Sequence, residues 1–137
     1  MSVRLGNVTI LVRDYDEALK FYTETLGFEK RMDQSIGPVR WLTVAASGQD
    51  VQIILQKPDP AVHGEESAKR MTERIGQNAT WVILTDDCRK THELYSSRGV
   101  RFTETPKEQP WGTQAVFKDL YGNSYALVQL HSAAATN

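Results

Sequence analysis

The feature that most constrains this chain is that it repeats itself. Asn7-Val-Thr-Ile-Leu-Val-Arg-Asp14 runs into Tyr15-Asp-Glu-Ala-Leu-Lys-Phe-Tyr22 and closes at Gly27-Phe28. The same order returns as Thr80-Trp-Val-Ile-Leu-Thr-Asp-Asp87, then Cys88-Arg-Lys-Thr-His-Glu-Leu-Tyr95, closing at Gly99-Val100. Each copy reads as an apolar strand, an acidic turn, a helix and a glycine stop, with Phe21-Tyr22 in register with Leu94-Tyr95. A fixed-order recurrence of this kind points to one supersecondary unit used twice.

The local signals agree with that reading. Asp14 can cap the first helix, Glu17 completes a capping-box spacing, and Gly27 supplies a left-handed stop. Asp87 and Gly99 take the same places in the second copy. Ala18, Phe21, Tyr22 and Thr25 fall at the spacing of one buried helical face. After each helix come short β-type runs, expected over residues 29–33, 40–46 and 51–57, and over 101–103, 114–118 and 124–130. The pattern is βαβββ twice, an α+β fold. We expect a single domain over residues 1–130, made of modules at about 5–57 and 78–130. A linker over 58–77 carries a short exposed helix in Glu65-Glu-Ser-Ala-Lys-Arg-Met-Thr-Glu-Arg-Ile75, and residues 131–137 form a flexible tail.

Size and charge narrow the function. A chain of 137 residues suits one domain. Sixteen Lys and Arg against seventeen Asp and Glu leave a formal charge of −1, without the cationic face that nucleic acid needs. No apolar run reaches a membrane span, and no basic segment precedes an apolar one as in a secretory leader. The lone Cys88 cannot close an internal disulfide, so a cytoplasmic setting is expected, with a small molecule rather than nucleic acid or membrane as partner.

Strand alternation assigns faces. Val8, Ile10 and Val12 share one side, and Asn7, Thr9 and Leu11 the other. Gln52, Ile54 and Gln56 fall together, as do Ser124, Ala126 and Val128. The parity of Trp81 and Tyr125 puts both beneath a helix. We expect Asn7, Gln52, Gln56 and Thr80 to line one shared surface, with Trp41 and Trp111 able either to line it or to fill core. Arg40 either offers an anionic ligand a positive charge or is simply solvated, and Pro110-Trp111-Gly112 forms a constrained loop suited to a rim. No Gly-x-Ser-x-Gly elbow, phosphate loop or Gly-x-Gly-x-x-Gly occurs.

With these residues in view, the chain resembles the glyoxalase/bleomycin-resistance/dioxygenase family, also called the vicinal oxygen chelate superfamily. Asn7 to Asp14, Ala18-Leu-Lys-Phe-Tyr22 and Leu26-Gly-Phe28 are similar to its first module. Gly99-Val-Arg-Phe102, Trp111-Gly112 and Asp119-Leu-Tyr-Gly-Asn123 are similar to its second, and Arg40-Trp-Leu-Thr-Val44 resembles a stretch of a bacterial glyoxalase-like subgroup. The resemblance covers about residues 5 to 130. It implies strands curled into a cup and a homodimer completing two clefts.

Metal-using relatives hold a divalent ion with His, Gln or Glu from four strands. Carried over by the resemblance, those positions are Asn7, Gln52 (or Ile53, one residue on), Thr80 and Ala126. Two amides, a hydroxyl and a methyl are a poor set for a dication, whose dehydration calls for imidazole or anionic donors. His63, His92 and His131 show no metal-ligand spacing. No metal or other cofactor is therefore expected, and no catalytic residue is assigned. Three readings stay open: a metal-independent binder of a small organic molecule in a dimer cleft, a metal-dependent lactoylglutathione lyase-like lyase or dioxygenase using an atypical site, and a scaffold whose cup is filled by its own side chains.

Overall fold

The computed structural model describes residues 2–131, so the expected tail, apart from His131, lies outside the described residues. The chain forms two compact units that divide between Gly76 and Gln77. The first contains β1 (Asn7–Leu11), α1 (Tyr15–Lys20), β2 (Glu29–Ile36), β3 (Val39–Ala45), β4 (Gln52–Gln56), α2 (Pro60–His63) and α3 (Glu65–Arg74). The second contains β5 (Trp81–Leu84), α4 (Cys88–Ser97), β6 (Arg101–Gln109), β7 (Gly112–Lys118) and β8 (Ser124–Leu130). Each unit holds a four-stranded mixed sheet, ordered β1-β4-β3-β2 in the first and β5-β8-β7-β6 in the second. The first strand of each runs parallel to the last, and the remaining pairs are antiparallel.

The helix starts form as their capping residues dictate. The Asp14 carboxylate accepts from the Glu17 amide at 2.8 Å, and that of Asp87 from the Lys90 amide at 3.0 Å. Beyond Lys20 the first helix widens over Phe21–Thr25, where the Leu26 N–H reaches back to the Phe21 carbonyl. The wider turn leaves Ala18, Phe21, Tyr22 and Leu26 all buried. They meet the apolar face of the first sheet, where Ile10, Val12, Leu42, Val44 and Leu55 are fully buried. In the second unit α4 places Tyr95 edge-on to Phe117, which stacks on Tyr125, and the Cys88 thiol sits buried against the Leu127 carbonyl. Burial pushes that thiol's pKa up.

Two hairpins are longer than the sequence pattern predicts. β2 continues to Ile36 and turns through Gly37-Pro38, and β6 continues to Gln109 and turns through Pro110-Trp111. Both are outer strands rich in polar residues, so they carry no apolar alternation to announce them. β6 even includes Pro106, placed where the register shifts between Glu104 and Lys107, so the missing N–H interrupts no paired bond. The helix expected in 65–75 forms as α3, against β1 and within the first unit.

Candidate functional site

The first sheet has two unlike faces. One packs its apolar Ile10, Leu42, Val44 and Leu55 toward α1 and carries the charged Asp33 and Arg40. On the other, β1 contributes Asn7, Thr9 and Leu11, β4 contributes Gln52, Ile54 and Gln56, and β3 contributes Trp41, Thr43 and Ala45. Asn7 stands directly across from Gln52, which decides between the two positions the sequence left open: Gln52 shares the face of Asn7, and Ile53 is turned into the core. None of these nine side chains carries a charge, while β2 adds Met32 and Gln34 beside them and the Glu29 carboxylate across from Ala45. The nine offer amides, hydroxyls, aliphatic groups and one indole.

A polar relay on this face centres on Thr43, which is fully buried. The Thr43 hydroxyl donates to Gln52 Oε1 at 2.7 Å and accepts from the Met32 backbone N–H at 3.1 Å. That N–H is available because the pairing of β2 with β3 slips between Lys30 and Met32. Thr43 escaped the sequence reading, although alternation from Trp41 along β3 was a signal that could have placed it here. Gln56 turns toward the strand end, donating to the Tyr15 hydroxyl at 3.3 Å and the Lys57 carbonyl at 3.2 Å.

Arg40 is placed apart from these residues. Strand alternation turns it to the opposite face from Trp41, where its guanidinium forks onto both Asp33 oxygens at 2.9 and 3.0 Å. It also donates to Asp16 at 3.0 Å and lies over the Tyr15 ring. Hydrogen bonding to Asp33 raises the guanidinium pKa, and the same bond holds the Asp33 carboxyl below its usual range. Arg40 is thus paired within its own unit rather than simply solvated.

The second unit distributes its expected residues differently. Thr80 precedes β5 and is exposed, and Ala126 lies across from Val82, so those two positions do not face each other as Asn7 and Gln52 do. Trp81 is 37% exposed rather than core, which corrects the parity argument: Val82 and Leu84 of β5 are exposed as well, so parity along this outer strand does not by itself bring cover. Its pairing partner Tyr125 is buried, as parity requires. Trp111 sits at the tip of the β6–β7 hairpin, 45% exposed, with Nε1 donating to Gln114 Oε1 at 3.1 Å.

A divalent ion does not fit the residues present at the resemblance-derived positions. The Gln52 oxygen already accepts a hydrogen from Thr43, Thr80 offers a neutral hydroxyl, and Ala126 has no donor atom. Among the described residues, no three His, Cys, Asp or Glu side chains gather into a ligand cluster. Nor, among those residues, is any helix long and apolar enough to cross a membrane.

A family model described as Glyoxalase/Bleomycin resistance protein/Dioxygenase superfamily matches residues 4–127. Among solved structures, UcmS2 is 40% identical with a TM-score of 0.84, over 93% of this chain and 98% of that one. TnmS3, an antibiotic binding protein from Streptomyces sp. CB03234, is 32% identical with a TM-score of 0.79, over 95% of this chain and 98% of that one. The uncharacterized protein YurT of Bacillus subtilis (strain 168) is 37% identical over 122 residues, covering 88% of this chain and 94% of its own.

Proposed function

The chain belongs to the glyoxalase/bleomycin resistance protein/dioxygenase superfamily, and from that premise we propose that it binds a small organic molecule without a metal ion, as a cytoplasmic homodimer. The observation that carries this reading is the donor set. Where metal-using relatives are expected to present imidazole and carboxylate, this chain has Asn7, Gln52, Thr80 and Ala126. Glyoxalase and dioxygenase chemistry uses the metal to polarise substrate oxygens, and a neutral set lacks the donors to hold one. Fold alone does not transfer that chemistry. The likeness to an antibiotic binding protein over nearly the whole chain supports a binding role instead. So do the neutral neighbours of Trp41, since an indole beside amide and hydroxyl groups suits a ring-bearing neutral ligand.

The test is a thermal-shift series on tag-free protein, with metal content read by mass spectrometry. Zinc, nickel, manganese and iron(II) are expected to leave the melting temperature unchanged, and members of an aromatic, antibiotic-like panel to raise it. Near-stoichiometric metal with lactoylglutathione lyase or dioxygenase turnover would replace this reading with the enzymatic one.

A further inference from the structure

We propose that Thr43 sets the Gln52 amide as a hydrogen-bond donor on the face of the first sheet that carries Asn7 and Trp41, so that the ligand taken there is a flat organic molecule with a carbonyl oxygen on its ring. The inference rests on the small-molecule reading above and names the chemistry that reading leaves open.

One hydroxyl hydrogen fixes the orientation of the amide. Thr43 is fully buried, and its Oγ1 accepts from the Met32 N–H while donating to Gln52 Oε1. With the amide turned over, Gln52 would present N–H groups to Oγ1. The buried hydroxyl hydrogen would then lose the acceptor it has, a desolvated donor left unpaired. The observed orientation satisfies every atom of the relay and fixes which end of the amide remains. Gln52 Nε2 has no acceptor among the described residues, and it is not buried, since no buried side-chain nitrogen or oxygen in the described chain lacks a partner. Two N–H donors are thus held ready among the neutral side chains that β1, β3 and β4 set around Thr43. They repel a cation and call for an acceptor. Trp41, two residues along β3 on the same face and half-buried, supplies the flat apolar surface for a ring. Gln52 is accordingly a specificity residue, and Thr43 a positioning residue that acts through it.

The experiment titrates the full-length protein with 9-fluorenone and with fluorene, which differ chiefly at the ring carbonyl, by calorimetry in matched cosolvent. The wild type is expected to prefer the ketone by about fivefold or more, the worth of one net hydrogen bond. Gln52→Leu should erase that preference while leaving fluorene affinity within about twofold, because the apolar contact is untouched. Thr43→Val should weaken the preference and Thr43→Ser restore it, which a merely structural role would not produce. Thermal melts check that each variant folds, and the Val/Ser pair gives the same readout should Gln52→Leu not fold. Equal binding of both probes by the wild type, or a preference surviving in folded Gln52→Leu, would overturn the donor assignment and leave the binding role standing. Binding of neither probe would overturn the flat-ring assignment, while the aromatic and antibiotic-like panel decides the binding role separately.

Discussion

Gly112 opens β7 at a φ of 152°, and a Cβ there would overlap the Gln129 backbone carbonyl. Because the obstacle is backbone in a paired strand, it cannot swing aside. Gly112→Ala is expected to cost several kcal/mol, on the order of 3 or more, and to lower the urea midpoint sharply without changing the slope. Arg40 gives a gentler prediction. The Asp33 carboxyl is held below its usual range by Arg40, so the pair adds stability above the ordinary Asp pKa and loses it as pH falls through the depressed value. Because the pair is partly exposed, the contribution at neutral pH is at most about 1 kcal/mol. Asp33→Asn should therefore melt slightly below wild type at pH 7 and converge with it in acid; a gap that widens in acid would refute the assignment. Arg40 and Asp33 show why residue roles were only partly legible. Both are plain in the sequence, but nothing local says that a side chain on β3 will find one partner on β2 and another on α1.

At the scale of elements, the helices were the most legible part, because their start signals are local and chemical. Asp87→Ala removes the acceptor for the Lys90 amide and is expected to cost about 1 kcal/mol, measured by chemical denaturation; Asp87→Asn should recover most of it. The turn before β8 makes a stronger demand. The Asp119 carboxylate is buried and accepts from the Tyr121 and Asn123 backbone amides and from the Asn123 side chain, at 2.8 to 2.9 Å. Asp119→Ala strands those donors in the interior and should cost roughly 3 kcal/mol, more than the loss of the helix cap. The motif Asp119-Leu-Tyr-Gly-Asn123 had been visible only as a family likeness, while its work is to close this turn. The outer strands were the least legible. β2 and β6 take their extent from the neighbours they pair with, so their polar runs gave no periodic signal past residues 33 and 103.

For the molecule as a whole, the repeat made the architecture readable in advance: two βαβββ units of one topology, each closing a parallel first and last strand. The chain is expected to run as a homodimer, which light scattering would report as twice the 15.5 kDa chain mass; a monomer at micromolar concentration would remove that part of the proposal. By itself the sequence determined the order of elements, the helix caps and the alternation of faces. It also determined the absence of strong metal donors at the positions the family likeness pointed to. These are properties of neighbours along the chain or of residue type alone, and short-range physics is enough to specify them. Only the tertiary structure decided that Gln52 rather than Ile53 stands across from Asn7, and that Thr43 orients the Gln52 amide. It also decided that Arg40 leaves the Trp41 face for Asp33 and Asp16, and that Trp81 stays partly exposed. Register between strands distant in sequence is set by the summed burial and hydrogen bonding of whole faces, and a shift of one residue exchanges those faces.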